Sequence, residues 1–193
     1  MKMKIYGLAG TNGAGKDSLA EMLVERHKFY FAIATDMLRD ELEKRGLPTD
    51  RIHKSQLSAE WRRQYGMAAI VDRAWEDFEK VKDQYNGIII GSLRHPGEVE
   101  RVHELGGELI WVDADPKIRY QRLQTNDRGR IEDRKSYEDF LADEEREMHP
   151  EGDAATLNVS AVKAKAGIVV LNNGSDIKAF KDEAEKILGL SQD

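Results

Sequence analysis

The fold of this chain is decided by residues 10–18, which read Gly10-Thr11-Asn12-Gly13-Ala14-Gly15-Lys16-Asp17-Ser18. This stretch follows a short apolar run, Ile5–Ala9, and precedes an apolar-periodic run, Leu19–Val24. A strand, a Gly-rich turn, a lysine and a helix in that order predict a phosphate-binding loop. The glycines let consecutive backbone N–H groups point inward, and the helix N-terminus adds partial positive charge.

The loop is predicted to bind the phosphates of ATP, with Lys16 as a catalytic residue that reaches the β- and γ-phosphates. The residues expected to contact the phosphates are Thr11, Asn12, Gly13, Ala14, Gly15, Lys16, Asp17 and Ser18.

Composition limits the class of protein. The 193 residues are 40% hydrophobic and 34% charged, which predicts one globular domain over residues 1–193. A net charge of -6 argues against a nucleic-acid partner. The chain has no cysteine, which excludes disulfides, Cys-ligated zinc and cysteine nucleophiles. Because no apolar run approaches ~18 residues, we expect a cytoplasmic protein without membrane contact. Monomer and homodimer stay open.

Apolar runs alternate with helical stretches along the chain. A parallel sheet with helices on both faces is typical of this alternation. The sequence therefore predicts an α/β protein with a three-layer α/β/α P-loop kinase fold and a five-stranded parallel sheet. The predicted strands are Ile5–Ala9, Tyr30–Ala34, Gly87–Ile90, Leu109–Asp113 and Ile168–Leu171.

Residues 34–84 interrupt the alternation and read as a helical, substrate-binding insertion. Asp36 and Arg39 follow the second predicted strand at the carboxyl edge of the sheet, where ligands bind. We expect them, with Arg63, to contact the acceptor, although Arg39 also fits a solvated face of a charged helix. Trp61 and Tyr65 share a helix face and fit either core packing or stacking on a substrate base.

Arg94 follows the third predicted strand and is expected to bind the acceptor phosphate. An ion pair with Glu98 or Glu100 at the start of the next helix is the alternative.

Residues 124–139 read as a short lid that closes over ATP. Its arginines are expected to stabilise charge on the transferring group, unless neighbouring acids simply neutralise them. The catalytic candidates there are Arg128, Arg130 and Arg134.

Many phosphate-loop enzymes place an acid at the end of the third strand to hold the Mg²⁺ shell. Gly91 and Ser92 stand at that place here. Asp17 stands where the loop usually has a metal-binding hydroxyl. Our hypothesis is that Asp17, with Ser18, holds Mg²⁺ in place of the strand acid. The alternative is that Asp17 only interacts with the helix dipole.

Four segments together resemble the nucleoside monophosphate kinase group of phosphate-loop kinases. Residues 35–39 resemble the adenylate kinase segment whose arginine grips the monophosphate, and Lys16-Asp17-Ser18 is similar to the Lys-Asp-Thr of deoxynucleoside monophosphate kinases. Residues 90–100 resemble the "Asp-Gly-Ile-Arg…Glu-Val-Glu" stretch of an archaeal family described as dephospho-coenzyme A kinase-like, with Gly91 in place of its Asp. Residues 172–174 resemble the turn that lies against the donor adenine.

The resemblance implies an ATP- and Mg²⁺-dependent kinase whose acceptor is a nucleoside or deoxynucleoside monophosphate. It assigns the adenine side to Asn172, Asn173 and Gly174. A kinase for dephospho-coenzyme A is one alternative. A nucleotide-binding regulator or slow ATPase is another, because Gly91 replaces the family acid.

Overall fold

The computed structural model describes residues 3–125, 136–148 and 152–190. The strands are β1 (Lys4–Gly10), β2 (Phe29–Ile33), β3 (Gly87–Gly91), β4 (Glu108–Asp113) and β5 (Ile168–Leu171). They form one sheet in the order β2-β3-β1-β4-β5, and every adjacent pair is parallel. The predicted five-stranded parallel sheet and α/β P-loop kinase fold are confirmed. Ala34, predicted as the last residue of the second strand, instead begins a helix.

The helices of the described residues are α1 (Lys16–His27), α2 (Ala34–Lys44), α3 (Arg51–Tyr65), α4 (Ala69–Glu79), α5 (Pro96–Glu104), α6 (Pro116–Thr125), α7 (Tyr137–Met148), α8 (Val159–Ala164) and α9 (Ile177–Ile187). Local sequence explains where several of these helices begin. Asp115 accepts a hydrogen bond from the backbone N–H of Lys117 at 2.8 Å, and Pro116 begins α6. His95 caps α5 in the same way.

Side-chain alternation sends residues of the central strands into two separate cores, one on each face of the sheet. On β1, Tyr6 and Leu8 pack with α1 and α9, whereas Ile5 and Ala9 pack with α4, α5 and α8. The strands are therefore apolar on both sides, as the lack of a simple period-two pattern predicts. Because β1 and β3 are buried on both faces, their carboxyl ends give firm support to the loops that follow them.

Helices α2, α3 and α4 pack around a third small core that includes Leu38, Leu57 and Trp61. Trp61 is buried and Tyr65 is exposed. The guanidinium of Arg73 lies 4.0 Å from the Trp61 ring centroid and 5.0 Å from that of Tyr65. The two rings thus share a face, as predicted, and in this structure that face stacks on an arginine of the same chain.

Candidate active site

The loop between β1 and α1 depends on glycines at two close approaches. Gly13 has φ 78° and Gly15 has φ 103°, both in the left-handed region. A Cβ on Gly13 would lie 2.8 Å from the carbonyl oxygen of Arg119, and one on Gly15 would lie 2.5 Å from Nδ2 of Asn172. Any other residue would therefore be strained in its backbone and would clash with α6 or with the segment after β5.

Lys16 is the first residue of α1, and its ammonium folds back over the loop. Its Nζ donates to the carbonyl oxygen of Gly10 at 2.9 Å and to that of Thr11 at 2.7 Å. Asp17 and Ser18 follow in the first turn of α1, with Asp17 exposed and Ser18 half-buried. The lysine charge, the helix N-terminus and the oxygen-bearing side chains of Asp17 and Ser18 thus lie at one end of the loop.

Asp113, at the end of β4, anchors the loop and was not among the predicted site residues. Its carboxylate accepts hydrogen bonds from Thr11 Oγ1 at 2.8 Å, Trp111 Nε1 at 3.1 Å and Lys163 Nζ at 3.1 Å. Burial alone would raise the pKa of Asp113, but the three donors outweigh it and the pKa is lowered. The sequence signal was an acid at the end of an apolar run, on the fourth strand instead of the third.

The segment after β5 supports the loop from behind. Asn172 is buried and donates through Nδ2 to the carbonyl oxygen of Ala14 at 2.9 Å. Arg122, another residue that the sequence reasoning missed, donates to Asn172 Oδ1 at 3.2 Å and to the Gly174 carbonyl at 2.7 Å. Burial lowers the pKa of Arg122. Asn173 Oδ1 accepts from a backbone N–H just before α6. All three proposed adenine-side residues therefore lie at the junction of α6 with the strand β5.

A cleft separates the loop from α7 and is called the central cleft below. It encloses about 50 Å³. Arg94 and the loop face the same cleft, so the structure brings together two of the predicted phosphate-binding elements. The lining residues are Gly10, Thr11, Asn12, Arg51, Ser92, Leu93, Arg94, Leu123, Phe140, Asp143, Glu144, Glu147, Met148 and Val159.

Arg94 is fixed differently at its backbone and at its guanidinium. The backbone N–H donates to Glu98 Oε2 at 2.9 Å, within the capping box of α5. The guanidinium lies 3.4 Å from Glu147 Oε2 on α7. Arg51, at the start of α3, also forms an ion pair with Glu147. The carboxylate of Glu98 therefore places the Arg94 backbone, while its side chain extends into the cleft.

A buried ion pair lies beneath Arg94. Arg62 donates to Glu98 Oε1 at 2.9 Å, to the Ala155 carbonyl at 2.8 Å and to Ser58 Oγ at 2.9 Å. The side chains of Arg62 and Glu98 are 1% and 3% exposed. Burial lowers the pKa of Arg62, and the attraction of Glu98 opposes that shift. With all of these donors partnered, the pair holds α3 against the start of α5 and so fixes the Arg94 backbone.

Other predicted acceptor residues lie away from the central cleft. Arg63 is exposed and bonds Asp153 at 2.9 Å. Arg39 pairs with Asp36 at 2.9 Å on an exposed face of α2. Neither arginine nor Asp36 lines the cleft as the described residues form it. The lid candidates Arg128, Arg130 and Arg134 lie outside the described residues.

The oxygen donors near the loop fit a magnesium ion. In the part of the chain that the structure describes, no group of three or more His, Cys, Asp or Glu side chains could hold a metal. Mg²⁺ usually keeps several waters and takes only one or two carboxylates besides substrate phosphates. Asp17 and Ser18 supply hard oxygens of this kind, whereas Gly91, paired with Leu8 of β1, supplies no side chain at the end of β3.

A family model described as AAA domain (AAA_18) matches residues 7–149. That range includes the loop and all of the residues lining the central cleft except Val159. The chain belongs to the AAA domain family. One relative is a UPF0200 protein of Pyrobaculum aerophilum, which is 29% identical in an alignment that covers 96% of this chain and 97% of that protein. A UPF0200 protein of Methanococcus maripaludis is 27% identical and covers 93% of each.

Solved structures match this AAA domain at the level of the fold. TT1252 from Thermus thermophilus has a TM-score of 0.62 at 15% identity and covers 100% of both chains. Shikimate kinase from Bacteroides thetaiotaomicron has a TM-score of 0.61 at 14% identity, covering 97% of this chain and 99% of that one. The fold is therefore that of the P-loop kinases. Among the described helices, none combines the length and apolarity that a membrane span requires.

Proposed function

We propose that the protein transfers the γ-phosphoryl group of ATP to a small phosphorylated acceptor, most directly a nucleoside or deoxynucleoside monophosphate. One observation carries the proposal: the start of the loop, Gly10 to Asn12, lines the same cleft as Arg51 and Arg94, and the Lys16 ammonium bonds to the carbonyls of Gly10 and Thr11. A phosphate-binding loop and a pair of arginines at one cleft suit a reaction between two phosphate-bearing ligands.

In the proposed reaction, an oxygen of the acceptor phosphate bonds to the γ-phosphorus while the bond from that phosphorus to the β–γ bridging oxygen breaks, releasing ADP. Lys16 and the loop N–H groups would stabilise charge on the donor phosphates. Arg94 would orient the acceptor, and the narrow cleft would exclude water. A bound Mg²⁺ supplies further charge neutralisation, with Asp17 and Ser18 as its protein ligands.

The remaining predicted residues keep supporting roles in this proposal. The segment after β5 would border the adenine of ATP, because it lies directly behind the loop. Arg128, Arg130 and Arg134 would add positive charge over the transferring group. Asp36, Arg39 and Arg63 would contact only an acceptor that extends beyond the central cleft.

Two rival functions remain, and one observation favours the second. A kinase for another phosphorylated metabolite, such as dephospho-coenzyme A, would use the same cations. A nucleotide-binding regulator or slow ATPase is favoured by Gly91, since the end of β3 supplies no carboxylate for the metal shell.

A panel of acceptors distinguishes these functions. The protein is incubated with ATP and Mg²⁺, together with each nucleoside monophosphate, each deoxynucleoside monophosphate, dephospho-coenzyme A, or no acceptor. We expect stoichiometric ADP and phosphorylated product with at least one monophosphate, well above the rate without acceptor. Turnover with dephospho-coenzyme A alone would support the first rival. ADP formation that no acceptor accelerates would contradict phosphoryl transfer and support the second.

A further inference from the structure

One carboxylate, Glu147, lies between two arginines that come from separate parts of the chain. Arg94 follows β3 and Arg51 begins α3, and both form ion pairs with Glu147 of α7. All three side chains line the central cleft. Two guanidinium groups that converge on one carboxylate form a site shaped for an oxyanion.

The contact between Arg94 and Glu147 determines what a ligand phosphate meets in the central cleft. A ligand phosphate that reaches Arg94 from within the cleft would meet the carboxylate of Glu147 at the same guanidinium. The structure therefore describes an anion site already occupied by the chain's own anion.

Neighbouring acids on α7 differ in how firmly they are held. Glu144 forms two hydrogen bonds with Arg119, at 2.5 and 2.9 Å, and the Arg119 side chain is only 3% exposed. Glu147 is one helical turn further, on the same face, and is 29% exposed. Half-exposed ion pairs contribute little to stability, so Glu147 can exchange its partners for water at low cost, while Glu144 keeps α7 in place.

We propose that Arg51 and Arg94 form the anion-binding site for the acceptor phosphate, and that Glu147 fills this site as an internal counter-anion until the phosphate displaces it. The identity of the anion as an acceptor rests on the proposed function; the anion site itself does not. A phosphate monoester carries up to two negative charges and competes with a single carboxylate, whereas an unphosphorylated compound does not. Glu147 would therefore favour phosphorylated over unphosphorylated ligands.

The first test is a kinetic comparison with the best acceptor from the panel. Glu147→Gln keeps the size of the side chain and removes its charge. We expect the acceptor KM to fall about three- to fivefold, the factor for releasing a half-exposed ion pair, with the KM for ATP changed less than about twofold. Arg51→Met should raise the acceptor KM, and in the double variant the gain from Glu147→Gln should disappear.

Glu138→Gln is the matched control, because it removes the same charge from an exposed position on α7 that does not line the cleft. It should leave both KM values unchanged. If Glu147 only stabilises the fold, Glu147→Gln would lower the melting temperature and leave the acceptor KM at the wild-type value. That result, or a rise in the acceptor KM, would overturn the proposal.

A binding measurement keeps the test independent of catalysis. If no acceptor in the panel is turned over, the proposed function fails, but inorganic phosphate binding can still be followed by equilibrium dialysis. Phosphate bound at the Gly-rich loop contributes to every variant, so differences between variants report on the arginines. Glu147→Gln should tighten phosphate binding, and Arg51→Met should abolish that gain. Equal phosphate affinity in the wild type and Glu147→Gln would contradict the anion site itself.

Discussion

The two sides of the central cleft differ in what holds their cations. Beside the loop that borders one side, Lys16 donates to backbone carbonyls, and Arg122 donates to a backbone carbonyl and to Asn172 Oδ1. On the far side, Arg51 and Arg94 pair with the carboxylate of Glu147. A carbonyl carries no net charge, whereas a carboxylate opposes the charge of the guanidinium that it contacts. An anion that binds Arg51 or Arg94 must therefore compete with a carboxylate of the same chain.

The largest expected effect concerns the buried pair on which the far side rests. Arg62→Met leaves Glu98 buried without its charge partner, and we expect a loss of about 3–5 kcal/mol in the free energy of unfolding. Arg63→Met is the control, because Arg63 is the next residue but is exposed, and it should cost less than about 1 kcal/mol. Urea denaturation of both variants measures the difference. Equal losses would mean that the Arg62–Glu98 pair does not stabilise the side of the cleft that carries Arg94.

On the loop side, Lys16→Ala should reduce kcat/KM by at least ~100-fold, the scale for removing one preorganised charge-stabilising donor. Steady-state kinetics with ATP as the varied substrate measure this effect. Lys165→Ala, which removes a half-exposed lysine paired with Glu100, is the control and should leave kcat/KM nearly unchanged. Near-normal turnover of Lys16→Ala would remove the basis for calling this side of the cleft the donor site.

Arg94→Ala tests whether the two sides serve different ligands. Losing one charge-assisted hydrogen bond should weaken acceptor binding by ~1.5–3 kcal/mol, and ATP affinity should stay within a few-fold. Titration calorimetry with each ligand separately gives both values. If ATP binding were lost and acceptor binding preserved, the assignment of the two sides would have to be reversed.

Asp17→Asn sharpens the description of the loop side, because it removes a charge and keeps an oxygen. If Asp17 holds Mg²⁺, turnover should need a higher Mg²⁺ concentration, and metal-free nucleotide binding should change less. Asp17→Ser should restore part of the activity. A Mg²⁺ titration of kcat decides the matter. Superimposable curves for wild type and Asp17→Asn, with a stability loss of ~0.3–1 kcal/mol, would leave only the helix-dipole role.

The smallest expected effect is on acid stability. Because the pKa of Asp113 is lowered in the folded protein, its ionised form contributes stability above its unfolded pKa of about 3.9. That contribution should disappear as the pH falls through the lower, folded pKa. Asp113→Asn should therefore flatten the pH dependence of the free energy of unfolding below about pH 4. Parallel curves from urea denaturation between pH 2 and 6 would contradict this.

The sheet and the loop could be predicted because their information lies in consecutive residues. Strand, Gly-rich turn and lysine are contiguous, and the glycine requirement follows from local backbone geometry. The starts of α5 and α6 are encoded locally for the same reason, since His95-Pro96 and Asp115-Pro116 are each a capping residue followed by a proline.

The side-chain contacts that hold the site in place could not be predicted in this way, because they join elements that are distant in the sequence. Arg62 and Arg63 are adjacent and chemically alike, and only the rotation of α3 decides which one is buried with Glu98. From the sequence alone, Glu147 resembles any surface acid of a charged helix, and only the position of α7 beside the cleft shows its contact with Arg94. Asp113 was overlooked because the expected acid belonged to the third strand, while tertiary contacts use the fourth.

The hydrogen bond from Asn172 to the carbonyl of Ala14 joins residues 158 positions apart. β1 likewise pairs with β3 and β4, both far later in the chain. During synthesis the Gly-rich loop therefore emerges from the ribosome before the residues that support it, and it is completed only when the segment after β5 becomes available. A nascent chain that has not yet reached Asn172 would hold the motif without this support, so the affinity of the loop for phosphates would rise only once Asn172 is available.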